Sequence, residues 1–165
     1  GQTYFAIQTR KQEITEQEYD SLSDDEKRFY QRKLTKQGNY TLQKIASSAG
    51  VKNMAEFHNA GYKGLYNGET ADDIFKRKKL RYREDILDNM GSEELADNIF
   101  RIAQTDAKLK RDNIDNEYTA NSVHYEVGKI VRKAIKEAGG TMPEDLLTPD
   151  RSLKDLEKEN KKLKE

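Results

Sequence analysis

The chain has 165 residues, 34% of them apolar and 36% charged, with no cysteine. That length suits one domain with a sizeable core, and the missing cysteine excludes disulfides, thiolate nucleophiles and zinc-finger spacing. Basic and acidic residues both total 30, yet residues 1–83 carry 16 basic against 11 acidic and residues 84–165 carry 14 against 19, so the charge is balanced overall and dipolar along the chain. No apolar run approaches the roughly 20 residues of a membrane span and no signal-peptide pattern opens the chain, so a cytoplasmic protein with no membrane partner is expected.

Gln2 to Tyr19 has helical propensity but little periodicity after Ile7. Its opening, Tyr4-Phe5-Ala6-Ile7 without an initiator methionine, reads as a fragment whose first helix continued upstream. Ser23 and Glu26 have capping-box spacing and open a helix to about Ala49. Its expected stripe is Tyr30, Leu34, Gly38, Leu42, Ile45 and Ala49; Gly38 on that stripe points to a close helix approach. Gly50 before Val51 reads as a C′ glycine with its apolar partner.

Asn53 to Glu56 repeats the cap chemistry for a short helix with Met54, Ala55 and Phe57. The following Gly61 to Gly68, GYKGLYNG, lacks P-loop spacing and reads as a tight connection whose aromatics plug the core. Thr70 caps the next helix, ADDIFKRKKLRYR, which ends in six basic residues out of eight.

Met90 to Asp112 reads as the central helix, with Ser92 as its N-cap. Acids crowd its first turns and bases its last, as the helix dipole favours. Leu95, Ile99 and Ile102 form one apolar row and Ala96, Phe100, Ala103 and Ala107 another, which predicts a mostly buried helix.

Tyr118 to Ala138 carries the cleanest stripe: Val123, Val127, Ile130, Val131, Ala134, Ile135 and Ala138. Gly139-Gly140 stop it. The expected division is a helical bundle over 1–140, a linker over 141–147 and a charged helix over 148–165 with Pro149 at its start. In that last helix Leu153, Leu156, Asn160 and Leu163 have coiled-coil spacing and are the candidate oligomer or partner contacts. The fold class expected is all-α, an irregular bundle of six or seven helices.

Catalytic chemistry has little to stand on. His58 and His124 lie on different predicted helices and are expected at the surface or a helix edge. Asp72-Asp73, Glu84-Asp85-Asp88 and Glu93-Glu94 would have to converge for a metal-dependent nuclease, but acids at helix starts are explained by the dipole alone. No catalytic residue, metal ligand or cofactor is assigned. The basic run, Lys76, Arg77, Lys78, Lys79, Arg81, Tyr82 and Arg83, is the candidate nucleic-acid contact: its cations neutralise phosphates and Tyr82 can stack on an unpaired base. The alternative is a solvated helix end, where bases are favoured anyway.

Four phrases, GQTYFAIQTR, GYKGLYNG, MGSEELADNIFRIAQT with KLKRD, and GGTMPEDLLTP, together resemble the DNA-damage-inducible protein D family over nearly the whole chain. Members carry a further N-terminal domain similar to that of phage antirepressors. The resemblance implies a non-enzymatic, cytoplasmic regulator of the SOS response acting on the RecA recombinase filament, and it supplies no catalytic residues. Single-stranded DNA and a homodimer are the other partners expected. An antirepressor-like nucleic-acid-binding module is the first rival reading, the nuclease the second.

Overall fold

The computed structural model describes the backbone of residues 4–9, 12–20 and 22–164, and side chains of residues 15–20 and 22–161. From Asp24 onward it is helix, turn and loop, so the body is all-α as expected. Seven α-helices are described: α1 Glu16–Asp20, α2 Asp24–Ser48, α3 Met54–Leu65, α4 Ala71–Arg77, α5 Ser92–Arg111, α6 Glu117–Glu137 and α7 Leu153–Lys164. Two 3₁₀ turns, Ile86–Asn89 and Pro143–Asp145, join α4 to α5 and α6 to α7. Among the described residues, no helix is long and apolar enough to cross a membrane.

The helix expected over Gln2 to Tyr19 is replaced by an antiparallel pair of strands, β1 Tyr4–Thr9 and β2 Gln12–Thr15, followed by the single turn of α1. Aromatic and β-branched residues, Tyr4, Phe5, Ile7, Thr9, Ile14 and Thr15, favour strands, and no helical periodicity opposes them. Gln2 itself lies outside the described residues, as do the side chains of the strands before Thr15.

Local signals set the helix boundaries. The Ser23 hydroxyl accepts from the Glu26 amide at 3.2 Å and Glu26 reciprocates; Thr70 and Asp73 do the same for α4. Gly50 closes α2 with φ 97° while the Val51 amide reaches back to the Ala46 carbonyl at 3.0 Å. The N-cap of α5, however, is Gly91. Ser92 sits one residue later and donates its hydroxyl to Asp24.

Two helix pairs build the core. In α2 and α5, Gly38 faces Ile102, whose Cγ2 would lie 3.1 Å from an added Cβ. The pairing of α3 with α6 is closer still. Gly61 and Gly64, expected in a connection, lie inside α3, and a Cβ on Gly64 would overlap the Tyr125 carbonyl oxygen. From the other side, a Cβ on Gly128 would stand 2.7 Å from the Gly61 carbonyl oxygen and 2.9 Å from the Leu65 amide. The helices therefore meet backbone to backbone. Tyr62, Leu65 and Tyr66 at the end of α3 are buried, so the aromatic plug is present but helical.

The expected apolar stripes are only half right. On α5, Leu95 and Ile102 are buried, but Ala96, Phe100, Ala103 and Ala107 are exposed; Glu94, Asn98, Arg101 and Thr105 occupy the core instead. On α6, Val123, Val127 and Val131 are buried, whereas Ile130 is 63% exposed and Ala134 and Ala138 face out. Arg28, Gln31 and Thr35 replace Tyr30 and Leu34 as the most buried residues of the first half of α2. Arg28, Glu94, Asn98 and Arg101 find hydrogen-bond partners on neighbouring elements, while Thr35 and Thr105 bond to the carbonyl one turn back in their own helices, which offsets their desolvation.

Residues 141–147 are tied to the body. Pro143 is buried, and Arg132 donates to both Glu144 at 2.7 Å and the Leu65 carbonyl at 3.2 Å. The C-terminal helix begins at Leu153 rather than Pro149, with the Ser152 hydroxyl accepting from the Asp155 amide at 3.1 Å. Leu153 is 0% exposed and Leu156 half-buried, while Asn160 is exposed. The side chain of Leu163 lies outside the described residues. Thus α7 docks on its own domain through Leu153, which is not free to form a seam with another chain.

Candidate nucleic-acid interface

The basic run does not form one helical face. Helix α4 stops at Arg77, and Lys79 takes the left-handed conformation, φ 57°, that glycine usually supplies at a C′ position. The Lys79 and Leu80 amides then close the helix onto the Lys76 and Phe75 carbonyls at 3.0 and 3.2 Å. Arg83 is also left-handed, φ 70°. Between them Arg81 directs its amide to Glu84 at 2.9 Å and its guanidinium to the same carboxylate at 3.2 Å.

This geometry splits the expected contact set. Lys76 pairs with Asp72 at 2.8 Å on the surface, and Arg77 pairs with Glu69 at 2.8 Å. Lys78 turns inward, against expectation: its ammonium meets Glu94 at 2.8 Å and also donates to the Asn89 carbonyl and the Thr148 hydroxyl. It cannot reach a phosphate without breaking a buried pair. Lys79, Arg81, Tyr82 and Arg83 remain exposed. Tyr82 is 85% exposed, with the Arg83 guanidinium over its ring at 5.3 Å.

A second wall comes from the C-terminal helix. The buried Arg28 guanidinium donates to the Met90 and Asp88 carbonyls at 2.9 Å and the Arg151 carbonyl at 3.0 Å. Arg32 bridges Asp88, at 2.8 Å, and Glu157 of α7. These bonds set α7 beside the 79–83 loop. Together they form a cleft of about 260 Å³ lined by Arg81, Tyr82, Arg83, Lys154 and Lys158, with Glu84, Asp85, Asp88 and Asp155 also on its walls. Arg28, Arg32, Lys154 and Lys158 were not visible as site residues in the sequence. The one available signal was the Lys154–Lys158 spacing of four, which puts both on one face of a helix.

Behind the cleft runs a buried polar chain. The Tyr66 hydroxyl donates to Glu94 at 2.5 Å, the Asn98 amide to Tyr66 at 2.9 Å, and Arg101 to the Asn98 carbonyl oxygen at 3.0 Å. Arg101 also donates to His124 Nε2 at 2.6 Å, while His124 Nδ1 donates to the Phe57 carbonyl at 2.8 Å. One neutral tautomer satisfies both contacts. Burial first, then Arg101, holds the His124 pKa well below its usual value. His124 is therefore a fully buried core group, not a surface residue. His58, hydrogen-bonded to Gln43 at 2.9 Å, is lowered to about 4, chiefly by burial. The acidic clusters stay apart: Asp73 accepts from the Thr70 amide in the α4 capping box, Asp85 accepts from the Leu87 amide, and Glu94 holds Lys78. Among the described residues, no group of three or more potential ligands is placed to hold a metal ion.

A model of the DinD C-terminal domain matches residues 22–156. The chain is also 50% identical over 161 residues to the DNA damage-inducible protein D of Escherichia coli (strain K12), an alignment that covers 95% of this chain and 59% of that relative. No solved structure matches it. The family match extends from the start of the α2 cap through the docked Leu153 and Leu156 and takes in the 79–83 loop and Lys154 but not Lys158, and the chain belongs to the DinD C-terminal domain family.

Proposed function

We propose that the chain is a non-enzymatic, cytoplasmic regulatory module of the DNA-damage response that acts on the RecA recombinase–DNA filament. The observation that carries this reading is the 50% identity to a protein named for its induction by DNA damage. The cleft is compatible with such a target, because basic and acidic side chains share its walls and a nucleoprotein filament offers both phosphate and protein. The test is RecA-driven strand exchange and RecA ATP hydrolysis, measured while the chain is titrated in. A change in either rate near one chain per recombinase subunit, with the DNA recovered uncut, supports the reading. Unchanged rates at excess chain, or cut DNA, would refute it. A second reading, an antirepressor-like nucleic-acid-binding module, is favoured by exposed Tyr82 among cations.

A further inference from the structure

We infer that the cleft between the 79–83 loop and α7 is a two-walled site for single-stranded nucleic acid, with Tyr82 as the stacking platform and Arg83, Lys154 and Lys158 as phosphate contacts. Tyr82 contributes nothing to the core at 85% exposure. It is nonetheless held at a fixed place, between two left-handed residues and beside an Arg81 amide anchored on Glu84. A large ring presented to water from an anchored backbone offers a π-face that any unpaired base can use.

The charges divide in a way that supports this. Among the described residues, Lys79, Arg83, Lys154 and Lys158 form no ion pair, while Glu84 and Asp88 on the same walls are taken up by Arg81 and Arg32. Asp85 accepts from the Leu87 amide but keeps its charge, because that donor is neutral. With Asp155 it leaves two unpaired acids against Arg83, Lys154 and Lys158 on the cleft walls, so the unpaired charge of the cleft is positive by one. The two walls come from segments far apart in sequence and meet because Arg28, Arg32 and the buried Leu153 hold the α7 region.

Shape selects the ligand. The cleft, about 260 Å³, is below the roughly 300–1,000 Å³ of pockets that enclose small molecules, and suits a strand passing across it. The run is not helical beyond Arg77, so it cannot lie as a recognition helix in a duplex major groove. Base stacking on Tyr82 requires a base released from its pair. This inference concerns the protein-free strand and stands apart from the recombinase reading.

Fluorescence anisotropy with a labelled oligothymidylate and a matching duplex, over a salt series, tests it. Three phosphate contacts at about −0.7 each predict a salt slope near −2 for the single strand. Tyr82→Ala should weaken strand binding about ten-fold and Tyr82→Phe should not, in line with the stacking contribution. Lys154→Glu with Lys158→Glu should weaken binding and flatten the slope by about one or more. Lys33→Glu with Lys36→Glu, on α2 and outside the cleft, should leave binding unchanged. All of these side chains reach solvent, so helicity and melting should hold in every variant. Equal affinity for duplex, wild-type binding by the Tyr82→Ala or lysine variants, or no strand binding at low salt would each overturn the site. Binding confined to the recombinase filament would overturn it too, while leaving the proposed function intact.

Discussion

The Lys78 ammonium stands 2.8 Å from the Glu94 carboxylate, with both side chains out of water. This pair takes a cation from the middle of the basic run and makes it part of the core. What remains outside is the short exposed loop that faces α7. The same carboxylate receives the Tyr66 hydroxyl, so the pair anchors the polar chain that ends at His124.

Removing one partner should therefore be expensive. Lys78→Met leaves Glu94 without its cation and should cost about 3–5 kcal/mol, the usual penalty for an orphaned buried charge. Adding Glu94→Gln should recover a large part of that loss. Urea denaturation of the single and double variants measures the coupling; two independent, additive losses would mean the pair is not the anchor described.

The glycines make a contrast. Gly64→Ala and Gly128→Ala push a methyl into backbone on the facing helix and should cost about 3 kcal/mol or prevent folding. Gly38→Ala meets only the end of the Ile102 side chain at 3.1 Å. There the gain in helix propensity, about 1 kcal/mol, offsets the crowding, so its thermal midpoint should stay near wild type.

Two groups give the stability curve opposite slopes. His58 is lowered from 6.5 to about 4, so the unfolded state binds its proton first; stability is intact above pH 6.5 and is lost as pH falls toward 4. Asp97 is raised from 3.8 to about 7 by burial, then by Glu93 and Glu94, and its buried Oδ2 has no hydrogen-bond partner. Its ionisation destabilises the fold as pH rises from 3.8 through 7. Asp97→Asn should thus stabilise by about 1 kcal/mol at neutral and alkaline pH, after allowance for solvent screening, and have no effect below about pH 4. Urea midpoints across that range check both signs.

Docking of α7 has a measurable consequence. Truncation before Thr148 removes buried Leu153 and the partners of Arg28 and Arg32. It should lower stability by about 2–5 kcal/mol, the range for losing one buried leucine. Because the leucine is used within its own chain, the number of chains per particle, read from the mass in solution, should not change. A dimer that becomes a monomer would instead restore the coiled-coil expectation for Leu153, Leu156, Asn160 and Leu163.

What the sequence shows and hides follows from distance along the chain. Ser23 with Glu26, Thr70 with Asp73, and Gly50 with Val51 act within a few residues, and each is legible in the letters and present in the structure. The face formed by Glu94, Asn98, Arg101 and Thr105 has helical spacing too, but its partners Tyr66, Lys78 and His124 lie on other elements. Without them it reads as a wet face, and the exposed alanine row is mistaken for core. Gly61 and Gly64 look like turn residues because only the approach of Gly128 explains them inside a helix. The basic run is visible as composition. Its division into paired, buried and free cations is a tertiary fact, and so is the arrival of Lys154 and Lys158 beside it.

The most direct measurement of the central claim is the binding of this chain to RecA alone, to single-stranded DNA alone and to the assembled filament, followed by interferometry across a salt series. The account predicts that the filament is bound more tightly than either component. Failure to bind the filament, or equal binding to RecA without DNA, would contradict it.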